Sequence, residues 1–165
     1  MDAERVFHRY GGLMLRHAQL LMGQDSLAED AVQEALVRVI RLNPQLRDEN
    51  HEKAWLLAVT GNICRDMLRK AKRRRETHLP DWFDAPSPDS QPDEEAGQRD
   101  RDARLIRAVM ALPVKYREPV LLAYYHELTN QQAAEVMGLT HAAFRTRLMR
   151  ARDMLRMTLG EEAEL

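Results

Sequence analysis

The chain has 165 residues, 44% of them apolar and 31% charged, which excludes the disordered class and leaves room for one ordinary domain or two small ones. Its single cysteine, Cys64, excludes an internal disulfide and a cysteine-based zinc cluster, and neither a signal-peptide run nor a membrane-length apolar stretch of about 18 residues is present. A formal net charge of −1 excludes a uniformly basic or acidic chain but hides two basic segments, residues 65–76 and 144–156, separated by an acidic one, residues 81–102.

Leu, Ala, Arg, Glu and Met are abundant and β-branched runs are few, so helix is expected throughout. Residues 4–22 place Phe7, Tyr10, Leu13, Met14, His17, Ala18 and Leu21 on one stripe; Gly11 and Gly12 either divide this helix or admit a close neighbour, and Gly23 stops it. Ser26 and Glu29 have capping-box spacing at the start of a second helix. Its apolar face is Ala28, Ala31, Val32, Ala35, Leu36, Val39 and Ile40, and Glu29, Asp30, Gln33, Glu34 and Arg38 line the opposite side. By itself that largely acidic side suits either solvent or a docked protein.

Asn43 and Pro44 end the second helix, and the polar residues 45–52 read as a loop. A third helix is expected over residues 53–75, with Trp55, Leu56, Val59, Ile63, Met67 and Leu68 inward and a cationic end formed by Arg65, Arg69, Lys70, Lys72, Arg73, Arg74 and Arg75. Seven cations in eleven positions exceed what the helix dipole needs. Such a run also suits a nuclear-type address, a membrane-surface patch or plain solubility. Its position at the end of an amphipathic helix beside Asn62 favours nucleic-acid phosphate, whereas base stacking lacks aromatic platforms.

Pro80, Pro86, Pro88 and Pro92 lie in the acidic segment that follows, which reads as a domain linker; Asp81-Trp82-Phe83 is its one apolar spot, able to dock on this chain or on another protein. Beyond it, Leu105, Ile106, Val109 and Leu112 predict a short helix stopped by Pro113, and residues 116–127 another with Val120, Leu121 and Tyr124 inward. Thr129 and Gln132 cap a short helix ending at Gly138, and Thr140 starts a long one reaching Leu159. The expected fold is all-α: two small helical domains, residues 1–76 and 102–165, joined by an acidic linker, residues 77–101.

Residues 130–148 carry the strongest local signal. Ala133 and Ala134 permit a close helix crossing, Gly138 permits the tight turn, and Phe144 and Leu148 pack the second helix, as a helix-turn-helix requires. In that geometry Thr140, His141, Ala142, Arg145, Thr146 and Met149 face base edges or adjacent phosphates. Arg145 is the expected base contact, through the guanine acceptor pair. Arg147, Arg150 and Arg152 are expected on phosphates, with Gln131 and Gln132 at the positive end of the first helix. The competing reading is a helical hairpin with a solvated arginine face. The histidines lack metal-ligand spacing, and neither a catalytic triad nor a phosphate-binding glycine loop is present, so no catalysis, metal or cofactor is expected.

In combination the segments resemble the extracytoplasmic-function group of bacterial sigma-70 factors. Residues 28–34 with Val37, Arg38 and Val39 are similar to the helix that docks on the clamp coiled coil of RNA polymerase's largest subunit; the resemblance implies a docking role for Asp30, Gln33, Glu34 and Arg38. Residues 54–69 are similar to the segment that melts and reads the near promoter element, after a specificity loop at residues 46–53 that holds a flipped base. This implies DNA roles for Asn62, Asp66 and Arg69 beside Arg65, Lys70, Arg73 and Arg74. Residues 116–152 resemble the domain that recognises the far promoter element and meets the polymerase flap. Gly61 stands where the family often has a larger or basic residue, and Phe144 is bulkier than the usual branched aliphatic one. The resemblance implies a promoter-directing initiation factor acting in the cytoplasm, associated with the nucleoid when bound to polymerase, and held by an anti-sigma protein. The rivals are a sigma-like mimic that binds an anti-sigma factor without DNA, and a helix-turn-helix repressor independent of polymerase.

Overall fold

The computed structural model describes residues 1–78 and 97–160. The proline-containing part of the expected linker, including Asp81-Trp82-Phe83, and the acidic end from Glu161 lie outside them. Every regular element among the described residues is helical. α1 (Ala3–Met22), α2 (Asp25–Leu42) and α3 (Glu49–His78) form the first domain; α4 (Gly97–Ala111), α5 (Val114–Val120), a π-helical turn (Leu121–Tyr125), α6 (Asn130–Met137) and α7 (His141–Leu159) form the second. α3 and α4 thus both run into the span expected to be linker.

α1 stays whole despite its paired glycines, because Gly12 faces outward and Gly11 packs at ordinary distance under the Phe7 ring. The Ser26–Glu29 capping box does not form. α2 starts earlier, at Asp25, whose carboxylate stands in the first turn where the helix dipole favours it. Ile40, expected inward, is 64% exposed: it lies about 100° round the helix from buried Val39, outside the stripe of Ala28, Ala31, Val32, Ala35 and Val39. The loop before α3 is shorter than expected, since the Asp48 side chain accepts from the His51 backbone N–H at 3.0 Å and starts the helix at Glu49.

In the second domain Pro119 sits inside α5, where it offers no N–H, and the helix gives way to the π turn. The wider turn shifts the helical phase, so Tyr124, expected inward, is 40% exposed. The helix-turn-helix forms as expected. Thr129 Oγ1 accepts from the Gln132 N–H, Gln132 Oε1 accepts from the Thr129 N–H, Gly138 turns at φ +65°, and Thr140 caps α7 through the Ala143 N–H.

The two cores interlock. Leu121, from the second domain, is buried with Val6, Met14, Leu21, Val32 and Val39 of the first. Leu57, from α3, is buried with Leu112, Val120, Ala133, Phe144 and Leu155 of the second. α3 therefore has two apolar faces: Leu56, Val59, Ile63 and Cys64 toward its own domain, and Leu57, flanked by Ala54 and Ala58, toward the other.

Candidate nucleic-acid and partner interfaces

On α7, Phe144, Leu148, Ala151 and Leu155 recur at i, i+4, i+7 and i+11 and are buried, which leaves His141, Ala142, Arg145, Thr146, Met149 and Arg150 exposed on the opposite side. Their presentation depends on the turn at Gly138 and the two Thr caps. The Thr140 hydroxyl oxygen is used in its cap, and the Thr146 hydroxyl donates to the Ala142 carbonyl at 3.0 Å, so each takes part in local structure as well. Gln131 is exposed at the start of α6, while the Gln132 side chain is engaged in the capping box.

Of the remaining cations there, Arg147 is half-buried on the side facing Glu118. Arg150 lies against Tyr116, and with Lys115, the larger influence, holds that phenol below its usual range. Arg152 is half-buried; its Nε donates to the Tyr124 hydroxyl at 2.6 Å and its guanidinium lies 5.5 Å from the ring centroid. Arg152 therefore ties α7 to the π turn.

On α3, Asn62, Arg65, Asp66, Arg69, Lys70, Arg73 and Arg74 follow the spacing of one helical stripe about 18 Å long, at 1.5 Å rise per residue. Asn62, Arg69, Lys70, Arg73 and Arg74 are exposed, and Arg69 pairs with Asp66. Arg65 differs: it donates to Asn62 Oδ1 and to Glu118 of the other domain, and only 23% of its side chain is exposed. The start of α3 is fastened to α1. Arg5 pairs with Glu52 at 2.7 Å, the Tyr10 hydroxyl donates to Glu52 at 3.1 Å, and Arg9 pairs with Glu49. The Arg5 guanidinium holds the Glu52 carboxyl below the usual range, against a smaller opposing effect of burial.

α2 presents Asp30, Gln33 and Glu34 exposed, with Arg38 half-exposed and 3.7 Å from Glu34. Val37 and Ile40 continue this face at 38% and 64% exposure, which the pattern reading, having turned Ile40 inward, did not include. Between the domains a groove of about 300 Å³ is lined by Arg16, Leu20, Leu105, Ile106, Val109, Met110, Val120, Leu121, Tyr124 and Tyr125. Among the described residues, Arg16 is its one charged lining residue.

Sequence reading missed the polar contacts across the domain interface. Arg117 donates to the carbonyls of Leu20 and Leu21 at the end of α1 and of Met110 and Leu112 at the end of α4, satisfying carbonyls that helix ends leave unpaired. Lys53 Nζ donates to the His126 carbonyl at 2.8 Å. His126 Nε2 and His17 Nδ1 share a hydrogen bond of 2.9 Å, although 109 residues separate them. Burial, together with the positive charges of His126 and Arg65, pushes His17 down to about 3; burial, then Lys53, pushes His126 down to about 4. Burial raises the Glu118 carboxyl and outweighs the opposing pull of Arg65. One signal for this interface was legible, the second small-residue stripe of Ala54, Leu57, Ala58 and Gly61 on α3. Among the described residues, no cluster of three or more His, Cys, Asp or Glu is placed to hold a metal ion, and no helix is long and apolar enough to cross a membrane.

Two family models match the chain: sigma-70 region 2 over residues 6–74 and sigma-70 region 4 over residues 102–155. It is 35% identical over 135 residues to the probable RNA polymerase sigma factor RfaY of Xanthomonas campestris pv. campestris, covering 80% of this chain and 34% of that protein. It is 28% identical to the ECF RNA polymerase sigma factor SigE of Mycolicibacterium smegmatis, over 97% of this chain and 62% of the relative. It is 29% identical to SigL of Mycobacterium tuberculosis, over 94% and 88%. The chain thus spans about a third and about three fifths of the first two of these relatives. The fold is that of sigma factor RpoE in its complex with anti-sigma factor NepR from Bartonella quintana, at TM-score 0.71, 20% identity and coverage of 97% of this chain and 98% of that one. It is also that of CnrH in complex with the cytosolic domain of CnrY, at TM-score 0.63, 21% identity and 98% and 89% coverage.

Proposed function

This chain belongs to the sigma-70 family of RNA polymerase sigma factors, in its extracytoplasmic-function group, and from that premise we propose that it directs core polymerase to promoters and opens them there. The observation that carries the reading is a pair of separate cationic helical surfaces, the stripe on α3 and the exposed face of α7, one on each domain. A two-part promoter element requires such an arrangement, and tethering makes two modest sites act together. α7 reads the far element as duplex, with Arg145 on a base and Arg150 on phosphate, while Gln131 supports it from α6. α3 holds the melted near element through Asn62, Asp66 and Arg69, with Lys70, Arg73 and Arg74 on the backbone. The residues 46–53 segment, braced on α1 through Glu49 and Glu52, holds a flipped base.

Asp30, Gln33, Glu34 and Arg38, extended by Val37 and Ile40, dock on the clamp coiled coil, an apolar patch with a charged rim being the usual composition of a protein interface. The second domain meets the polymerase flap. The bond-making chemistry belongs to the polymerase, so the chain itself is no enzyme, and it acts in the cytoplasm at the nucleoid. RpoE and CnrH occur in complexes with an anti-sigma factor and with the cytosolic domain of CnrY; the groove between α1, α4 and the π turn is the seat we assign to such a partner here.

Transcription from a library of randomised promoters, with purified core polymerase and this protein, tests the reading. Protein-dependent initiation at a shared two-part motif is expected. Core binding without initiation anywhere in the library would overturn it in favour of the mimic, and footprinting of free duplex without polymerase would favour the repressor.

A further inference from the structure

Glu118 has no exposed surface, yet its carboxylate reaches out of α5 to the α3 helix of the other domain. Oε1 accepts from Arg65, and Oε2 has no hydrogen-bond partner among the described residues. A carboxylate held this way is a poor source of stability, because desolvation offsets much of the attraction to its partner. Gly61 is what admits it. A Cβ at that position would lie 2.8 Å from Glu118 Oε1, 3.4 Å from Arg65 Nη1 and 3.8 Å from His17 Nε2, and the first distance is too short for a methyl group. Within a helix, glycine is disfavoured against alanine, so local propensity speaks against it here and the close approach of the second domain speaks for it.

Arg65 belongs to the α3 stripe, and its guanidinium is engaged by Glu118 of the other domain. A carboxylate and a phosphate offer a guanidinium the same kind of anionic oxygens. We propose that the closed arrangement of the domains is self-inhibiting: Glu118, seated in the notch at Gly61, occupies Arg65 in place of a promoter phosphate, and parting of the domains hands Arg65 to DNA. The proposal rests on the reading of α3 as the near-element surface. The α7 face stays exposed in the closed arrangement, so the inhibition falls on the near element and spares the far one.

The test uses the full chain carrying a fluorophore pair at R41C and M157C, two exposed positions in different domains. Cys64 does not compete for label, since burial pushes its thiol up to about 12. G61A inserts a methyl into the notch while raising helix propensity, and E118A removes the carboxylate together with its contact to Arg65, leaving that guanidinium without its partner in the closed interface. Both variants should lengthen the distance between the fluorophores at unchanged helicity. Both should also bind a fluorescein-labelled forked duplex with a single-stranded non-template tail about tenfold more tightly, or ~1.4 kcal/mol. R65A added to either should abolish the gain. An unchanged distance in both variants would overturn the latch, and separation without tighter binding would overturn the withholding of Arg65. Near-element recognition by the R65A holoenzyme is the separate check on the DNA role of α3. If that recognition is intact, the reading of Arg65 fails; if it is lost while G61A binds no better, only the inhibition fails.

Discussion

Lowering the pH from 7.5 to 5.0 should part the two domains, because the closed interface holds His17 and His126 neutral. Both are buried against each other, with folded values of about 3 and about 4 against an ordinary 6.5. The sign follows from which state binds protons more readily. The open form takes up protons below about pH 6.5 and the closed form does not, so stability of the closed form is full above that pH and is lost as pH falls toward the folded values. At pH 5.0 each imidazole that titrates normally when exposed favours opening by about 2 kcal/mol, at 1.36 kcal/mol per pKa unit. Glu118 works in the opposite direction: burial raises its carboxyl, so the closed form takes up that proton more readily than the open form does. Arg65, Arg117, Arg147 and Lys53 are further charged side chains that face these groups among the described residues. Opening should therefore develop between pH 6.5 and 5.0, where two imidazoles drive it against the one carboxyl. Distance measurement by the fluorophore pair across that range reads it, with the H17Q/H126Q variant as control. An equal pH response in that variant would refute the assignment to the histidine pair, and so would an interdomain distance that does not change down to pH 5.0.

F144A, which empties a fully buried site at the crossing of α6 and α7, should cost ~3–5 kcal/mol and be read as a lowered midpoint in urea or thermal unfolding. In the holoenzyme, R145A should relax preference at one far-element position at a cost of ~1–3 kcal/mol, whereas R150A should weaken all sequences alike and reduce the salt slope of binding by about 1. Uniform weakening by R145A would move that residue to the phosphates. The charge reversal D30K/E34K should weaken core-polymerase affinity about tenfold, or ~1.4 kcal/mol, in a pull-down titration while leaving the unfolding curve in place; unchanged affinity would remove α2 from the docking surface.

The elements most legible in the sequence were those with a local physical signal. Thr129, Gln132, Gly138 and Thr140 specify the boundaries of α6 and α7 through contacts three or four residues away, and those caps and the left-handed turn form as read. Errors fell where local signals competed. Ser26 matched a capping box, but Asp25 began the helix earlier, and Asp48 started α3 inside a stretch read as loop. Pro119 and the π turn shifted the phase that had placed Tyr124 inward, a change that no 3.6-residue periodicity foretells.

By itself, then, the sequence determined the helical class, the two-part organisation, the helix-turn-helix and the cationic faces, since all of these follow from composition, periodicity and capping over a few turns. The tertiary structure alone decided that α3 serves two cores, that Arg117 closes the ends of both α1 and α4, and that His17 meets His126 and Arg65 meets Glu118. The pairings Arg117–Leu21, His17–His126 and Arg65–Glu118 join residues 53 to 109 positions apart across a domain interface. Their chemistry depends on burial that neither partner's neighbours in the chain supply: an arginine read as a DNA contact and a glutamate with no assigned role become one buried pair only when the domains close.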